Sequence, residues 1–249
     1  MSKNLFRNFV PALGEDKLLS DNFFECYPHD GGGGFIHHET LRSVDDKVMA
    51  EFILSGGMQQ FGEFPKFDYR KFSSWKYIEK SCWLTRMYWL MPLAKSYRLN
   101  PDEELAENIK QSLYHFASSM PAPQGKEANI AYWKEIHRRR DDEYNRLTYE
   151  EYCQIENPID YSWYDFQPAS RLIHMAHSFY FLRESPSFSK ADWDFFYDFL
   201  KWHGEIIYLQ EKYCSKPRRG NHQALRALAL LYADAIFQNV RQRMASFVL

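Results

Sequence analysis

The sequence is short of cysteine, of net charge and of long apolar runs, and each shortage removes a class of protein. Its four cysteines, Cys26, Cys82, Cys153 and Cys214, form no CxxC pair and no metal-ligand spacing. Nothing in that pattern calls for a zinc site or a disulfide framework. Cys82 lies in an aromatic helical segment and reads as a buried free thiol. The 31 basic residues nearly balance 33 acidic ones, for a net charge of −2. That balance argues against wholesale binding to nucleic acid or to a membrane surface, while leaving room for a local basic cleft. No apolar run is long enough to span a bilayer. Residues 1–14 carry Lys3 and Arg7 but no apolar core of a secretory signal. No strict internal repeat and no convincing strand pattern is present.

Aromatic side chains are abundant. Seven Trp, 17 Tyr and 20 Phe make up 18% of the 249 residues. Such rings dominate cores, and they also stack against sugar rings. The length suits one large domain or two small ones. Residues 1–65 read as an irregular N-terminal segment and residues 66–249 as a helical unit. Within the first, the four glycines at 31–34 are flanked by His29, Asp30, His37 and His38. They make a mobile loop or a close backbone approach. A phosphate cradle is the sharper alternative, but no Gly-Lys-Ser/Thr follows. Residues 45–55 read as a helix closed by Gly56-Gly57.

Helical periodicity governs the rest. Residues 75–99 place Ile78, Cys82, Trp83, Met87, Leu90, Leu93, Ala94 and Tyr97 on one stripe. Asn100-Pro101-Asp102 turns the chain, with Asn100 expected as the cap of a helix over 103–119 that carries Leu105, Ile109, Leu113 and Phe116. Pro121 and Pro123 end it. Residues 129–158 are charged, and Arg138-Arg139-Arg140 before Asp141-Asp142-Glu143 reads as a solvated helix face or surface loop, with an insertion near a cleft rim as the alternative. Residues 170–182 resume the pattern. Ser189 with Asp192 forms an acidic variant of the capping box for a helix running to Tyr213. A last helix covers 224–243. Short links between paired helices imply antiparallel neighbours, so the expected architecture is all-α: stacked helical hairpins curling into a partial ring.

The chemistry concentrates at Arg218-Arg219-Gly220-Asn221-His222-Gln223. A Gly-Asn-His step at a helix start gathers an amide, an imidazole and free backbone N–H groups, a setting that suits a carboxylate or another anion. The two arginines arrive directly ahead of it. Each residue also has an architectural reading. Asn221 is by default a cap for a helix starting near Gln223. His222 would bond backbone, and Arg171 would pair with Asp165 or another acid in a buried network. His203, on an apolar face, is read as a satisfied core histidine. Trp83, Trp89 and Trp163 are core residues or sugar platforms, with Trp163 the best placed as a platform.

Three stretches then line up: Trp75 with Trp83-Leu84-Thr85-Arg86, Trp89 and Tyr97; Trp163-Tyr164-Asp165-Phe166-Gln167-Pro168-Ala169-Ser170-Arg171; and Ser185-Pro186-Ser187-Phe188, His203 and Gly220-Asn221-His222-Gln223-Ala224-Leu225. Together they resemble the N-terminal helical domain of heparinase II/III-type polysaccharide lyases, most of all the heparinase III branch, over about residues 67–237. The resemblance implies an incomplete (α/α) toroid holding a groove, followed in full-length members by a β-sandwich. It implies β-elimination on uronic-acid polysaccharides such as heparan sulfate. Asn221 would neutralise the uronate carboxylate, His222 would stand beside it, and Arg171, Arg218, Arg219 and Trp163 would contact substrate. No cofactor and no metal is called for. The partner is an acidic polysaccharide, and the family suggests a periplasmic or secreted location. The chain ends at Leu249, ahead of where the family's catalytic Tyr and His fall, so it is expected to be part of a lyase, with Tyr161 and Tyr164 as the possible stand-in bases.

The reaction explains the residue types. The uronate C5 proton is weakly acidic, and its removal loads further charge onto a carboxylate. An amide donor and a nearby cation stabilise that enolate-like state, a base takes the proton and an acid protonates the departing glycosidic oxygen. Arginines add bidentate contacts to carboxylate or sulfate. Three other readings stay open. The first is a non-catalytic acidic-glycan-binding module. The second is an α-helical interaction scaffold. The third is a glycoside hydrolase using a pair among Asp160, Asp165 and Asp234.

Overall fold

The computed structural model describes residues 46–58, 62–69, 84–148, 151, 154–156, 159–215 and 220–237. The glycine run at 31–34, Cys26, Cys82, Cys153, Arg218 and Arg219 lie outside them. Among the described residues there are seven α-helices and no strand: α1 (Asp46–Leu54), α2 (Leu90–Leu99), α3 (Glu103–Ser119), α4 (Gly125–Arg139), α5 (Gln167–Leu182), α6 (Lys190–Tyr213) and α7 (Asn221–Phe237). A π-helical turn, Arg140–Tyr144, continues α4. None of these helices is long and apolar enough to cross a membrane.

Helix α5 is the hub. All of its residues are buried, and it packs against α2, α6 and α7. Consecutive helices also pack on each other in the pairs α2–α3, α5–α6 and α6–α7, while α4 lies against α6. Helix α1, on the N-terminal side of the expected boundary at residue 65, shares the core with α2 through Met49, Ala50 and Ile53. A buried ion pair between Asp46 and Lys95 joins the two. The core is lined with rings that meet at an edge, such as Tyr69 on Phe116 at 5.0 Å and Phe179 on Trp193 at 5.7 Å. Edge-to-face contact sets the positive rim of one ring against the negative face of the next.

Local chemistry sets the helix ends. Asp102, not Asn100, caps α3, its Oδ1 accepting from the amides of Glu104 (2.9 Å) and Leu105 (3.3 Å). Glu103 and Glu104 in the first turn add the negative charge that a helix start favours. The expected capping box on α6 is present. Ser189 Oγ accepts from Asp192 N–H at 3.2 Å, and the Asp192 carboxylate accepts from Ser189 N–H at 2.8 Å.

The helix expected over 75–99 is shorter in its described part, beginning only at Leu90. Pro92 explains this. Its ring collides with the carbonyl four residues back, so a helix holding it must start near it. Met87 turns into the left-handed region at φ 60° just before. The charged stretch takes the helix-face alternative over Gly125–Arg139, where Asn129 bonds the carbonyls of Pro123 (2.9 Å) and Gly125 (2.8 Å) and anchors the first turn of α4.

Candidate functional site

Helix α7 starts at Asn221, two residues earlier than its capping role required. The Gly220 carbonyl accepts the first helical bond, from Ala224 at 3.1 Å. The Asn221 Oδ1 accepts from the His222 amide at 3.0 Å. The side chain thus satisfies one first-turn donor, while its Nδ2 makes no hydrogen bond among the described residues. Both Asn221 and His222 are exposed.

His222 is tied down from the other side. Its Nδ1 lies 2.5 Å from Asp165 Oδ2, and its ring meets Phe166 at 4.3 Å. An ionised carboxylate only accepts, so Nδ1 carries the proton and Nε2 is left as the second ring nitrogen. The other oxygen of Asp165 receives Arg226, one turn further along α7. Arg226 also donates from Nε to Glu211 Oε2 at 2.6 Å, and Gln223 Nε2 donates to Glu211 Oε1 at 3.1 Å. Asp165 itself sits in the left-handed region, φ 58°. That conformation costs a non-glycine residue about 1 kcal/mol. The two bonds from α7 hold it there.

Asp165, Gly220, Asn221, His222, Gln223 and Arg226 line a cavity of about 540 Å³ together with Trp133, His137 and Arg140 from α4 and its π turn, and with Tyr164, Cys214 and Ser215. Tyr164 Oη lies 3.2 Å from His137 Nε2 and accepts from Arg140 at 3.4 Å. Its ring packs on Trp133 at 4.6 Å. Burial pushes the Tyr164 phenol above its ordinary pKa, with Arg140 opposing. At neutral pH it is therefore an un-ionised donor. Burial likewise raises the Cys214 thiol, with Lys134 opposing, which keeps it from being a ready nucleophile. Among the described residues, no three His, Cys, Asp or Glu side chains gather as a metal-binding group.

Of the residues expected to act, Asn221 and His222 meet at the cavity, and Arg218 and Arg219 lie outside the described residues. Arg171 and Trp163 are corrections. Both are buried, at 0% and 1% exposure, and neither lines the cavity. The Arg171 Nε donates to His203 Nε2 at 2.7 Å. Its Nη1 reaches the carbonyls of Thr85 (2.6 Å) and Ser162 (3.0 Å). Its guanidinium lies over Trp163 at 4.3 Å and Phe116 at 4.6 Å. Arg171 therefore organises the core. Asp165, the partner suggested for it, engages α7 instead. His203 is the satisfied core histidine expected. It donates from Nδ1 to Phe199 O at 2.7 Å, and burial with the Arg171 charge holds its pKa well down. Of the two tyrosines named as stand-in bases, Tyr161 is buried away from the cavity and Tyr164 lines it. Arg226 was missed, although its spacing of four from His222 puts both on one helix face.

Residues 35–245 match the family described as Heparinase II/III N-terminus. A heparin-sulfate lyase from Bacteroides stercoris is 23% identical over 216 residues, covering 84% of this chain and 29% of the relative. The chain thus spans less than a third of that protein's length. No solved structure gives a significant match. The family match takes in most of the sequence, and the chain belongs to the heparinase II/III N-terminal domain family.

Proposed function

We propose that this chain is the substrate-binding helical domain of a polysaccharide lyase acting on uronic-acid glycans of the heparan sulfate type, its helices arranged as an incomplete toroid. The observation that carries this reading is the convergence of Asn221 and His222 on one cavity wall, with His222 Nδ1 held by Asp165. The free amide Nδ2 of Asn221 donates to the uronate carboxylate, where negative charge grows as the C5 proton leaves. His222 offers Nε2 to the same sugar as a proton acceptor, its tautomer set by Asp165. In β-elimination the C5–H and C4–O bonds break, a C4–C5 double bond forms, and an acid protonates the departing oxygen. The heparin-sulfate lyase relative supports an acidic glycosaminoglycan as substrate. A periplasmic or secreted location is part of the same proposal, and cell fractionation checks it.

The test is to incubate the chain with heparan sulfate, heparin, alginate and hyaluronan and to follow the ultraviolet absorbance of the unsaturated uronate product. Asn221→Ala is expected to cut the rate about 100-fold, the loss of one charge-stabilising donor. Glycan binding without product, weakened by the same substitution, makes the chain a glycan-binding module. No binding to any of the four overturns the reading.

A further inference from the structure

The three consecutive arginines at 138–140 do not share one face. Arg138 stays in solvent, paired with Glu135 at 2.7 Å and Asp142 at 3.1 Å. Arg140 opens the π turn and lines the cavity. A π turn inserts an extra residue into the helical ladder and re-aims the side chains around it, a distortion frequent at functional sites. Here it brings a guanidinium to the Tyr164 hydroxyl (3.4 Å), which in turn lies 3.2 Å from the His137 imidazole. The Tyr164 ring packs on Trp133, which also lines the cavity.

Arg140 and the hydrogen-bonded pair Tyr164–His137 thus put donors on the α4 side of the cavity, away from Asn221 on α7. The acid in the cavity lining, Asp165, already has its two oxygens engaged by His222 and Arg226. A guanidinium, a phenol held un-ionised and an imidazole together suit a tetrahedral oxyanion.

We propose that His137, Arg140 and Tyr164 form a second anion subsite, which takes the sulfo group of the sugar next to the uronate held at Asn221. The proposal rests on the uronate reading for its neighbour and on the cavity geometry for itself. Charge-assisted bonds to the sulfo group make sulfated glycan the preferred ligand by about tenfold.

The experiment is calorimetric titration of the whole chain with two tetrasaccharides of glucuronate and glucosamine, one unsulfated and one N- and 6-O-sulfated. Wild type is expected to favour the sulfated form about tenfold. Arg140→Gln, and separately Tyr164→Phe, should bring that ratio close to one with the melting temperature little changed. The Phe ring keeps the Trp133 contact, so loss of the ratio there is not loss of packing. A ratio near one in wild type, or one that survives Arg140→Gln, overturns the subsite. If wild type binds neither tetrasaccharide, the uronate reading fails, and inorganic sulfate becomes the probe. A saturable shift of the His137 imidazole resonances that Arg140→Gln abolishes then upholds the subsite for a free oxyanion. No such shift overturns it.

Discussion

Arg171 carries its charge into the middle of the core, and what surrounds it defines its role. Two carbonyls and the unprotonated Nε2 of His203 accept from it, and two aromatic faces flank its plane. Arg171→Met keeps most of the volume but leaves three buried acceptors without their donor. The relief of no longer burying a cation offsets part of that cost. Orphaned acceptors at 1–3 kcal/mol each outweigh the relief, so the variant should lose about 3 kcal/mol in urea unfolding. Its glycan affinity, measured on the folded fraction, should hold, because Arg171 does not touch the cavity. The residue stood out in the sequence as the end of the 163–171 stretch that carries the resemblance, but a place in a motif does not distinguish a side chain aimed at a ligand from one aimed at the core. Asn221 and His222 were legible because a Gly-Asn-His step at a helix start places polar groups where the backbone is itself unsatisfied. His137 and Arg140 were not, and Tyr164 was named only as a stand-in base. A π turn leaves no periodic mark, and a run of charges reads as solvent-facing until the ladder that turns one of them inward is seen.

At the scale of elements, the apolar stripes at helical period corresponded to α3, α5, α6 and α7, and turn chemistry decided the ends. Where two caps competed, as with Asn100 and Asp102, the residue directly before the first helical turn won, since only its side chain reaches the second and third amides. Residues 84–89, which are turn and not helix, misled because their stripe is apolar whether or not it is helical. Pro92 was the better signal. Helix α6 gives the cleanest test of capping. Its start is fixed by the reciprocal Ser189–Asp192 bonds, and it packs on α4, α5 and α7. Ser189→Ala removes one half of the box and should cost about 1 kcal/mol. Hydrogen exchange should show the added fraying confined to the first turn of α6. Protection lost evenly along the helix would mean that the cap supports more than its own end.

For the whole molecule, buried imidazoles set the response to acid. Burial holds His174 at about 4, and burial with the His174 charge holds His177 at about 3, against 6.5 for a free imidazole. His203 is lowered in the same sense. The unfolded chain binds these protons more readily than the folded one, so stability is full above about pH 6.5 and falls as pH drops toward the folded values. By pH 5 the loss should be on the order of 1–2 kcal/mol per imidazole. Denaturation at pH 7, 6 and 5 measures it. Replacing His177 by Gln should flatten the slope, and an unchanged slope would place the titrating groups elsewhere. The Asp165 carboxylate has a mechanical consequence of a different kind. It grips two successive turns of one helix, so α7 can neither spin about its axis nor slide along it without breaking both grips at once. The amide at 221 and the imidazole at 222 therefore travel as a rigid calliper.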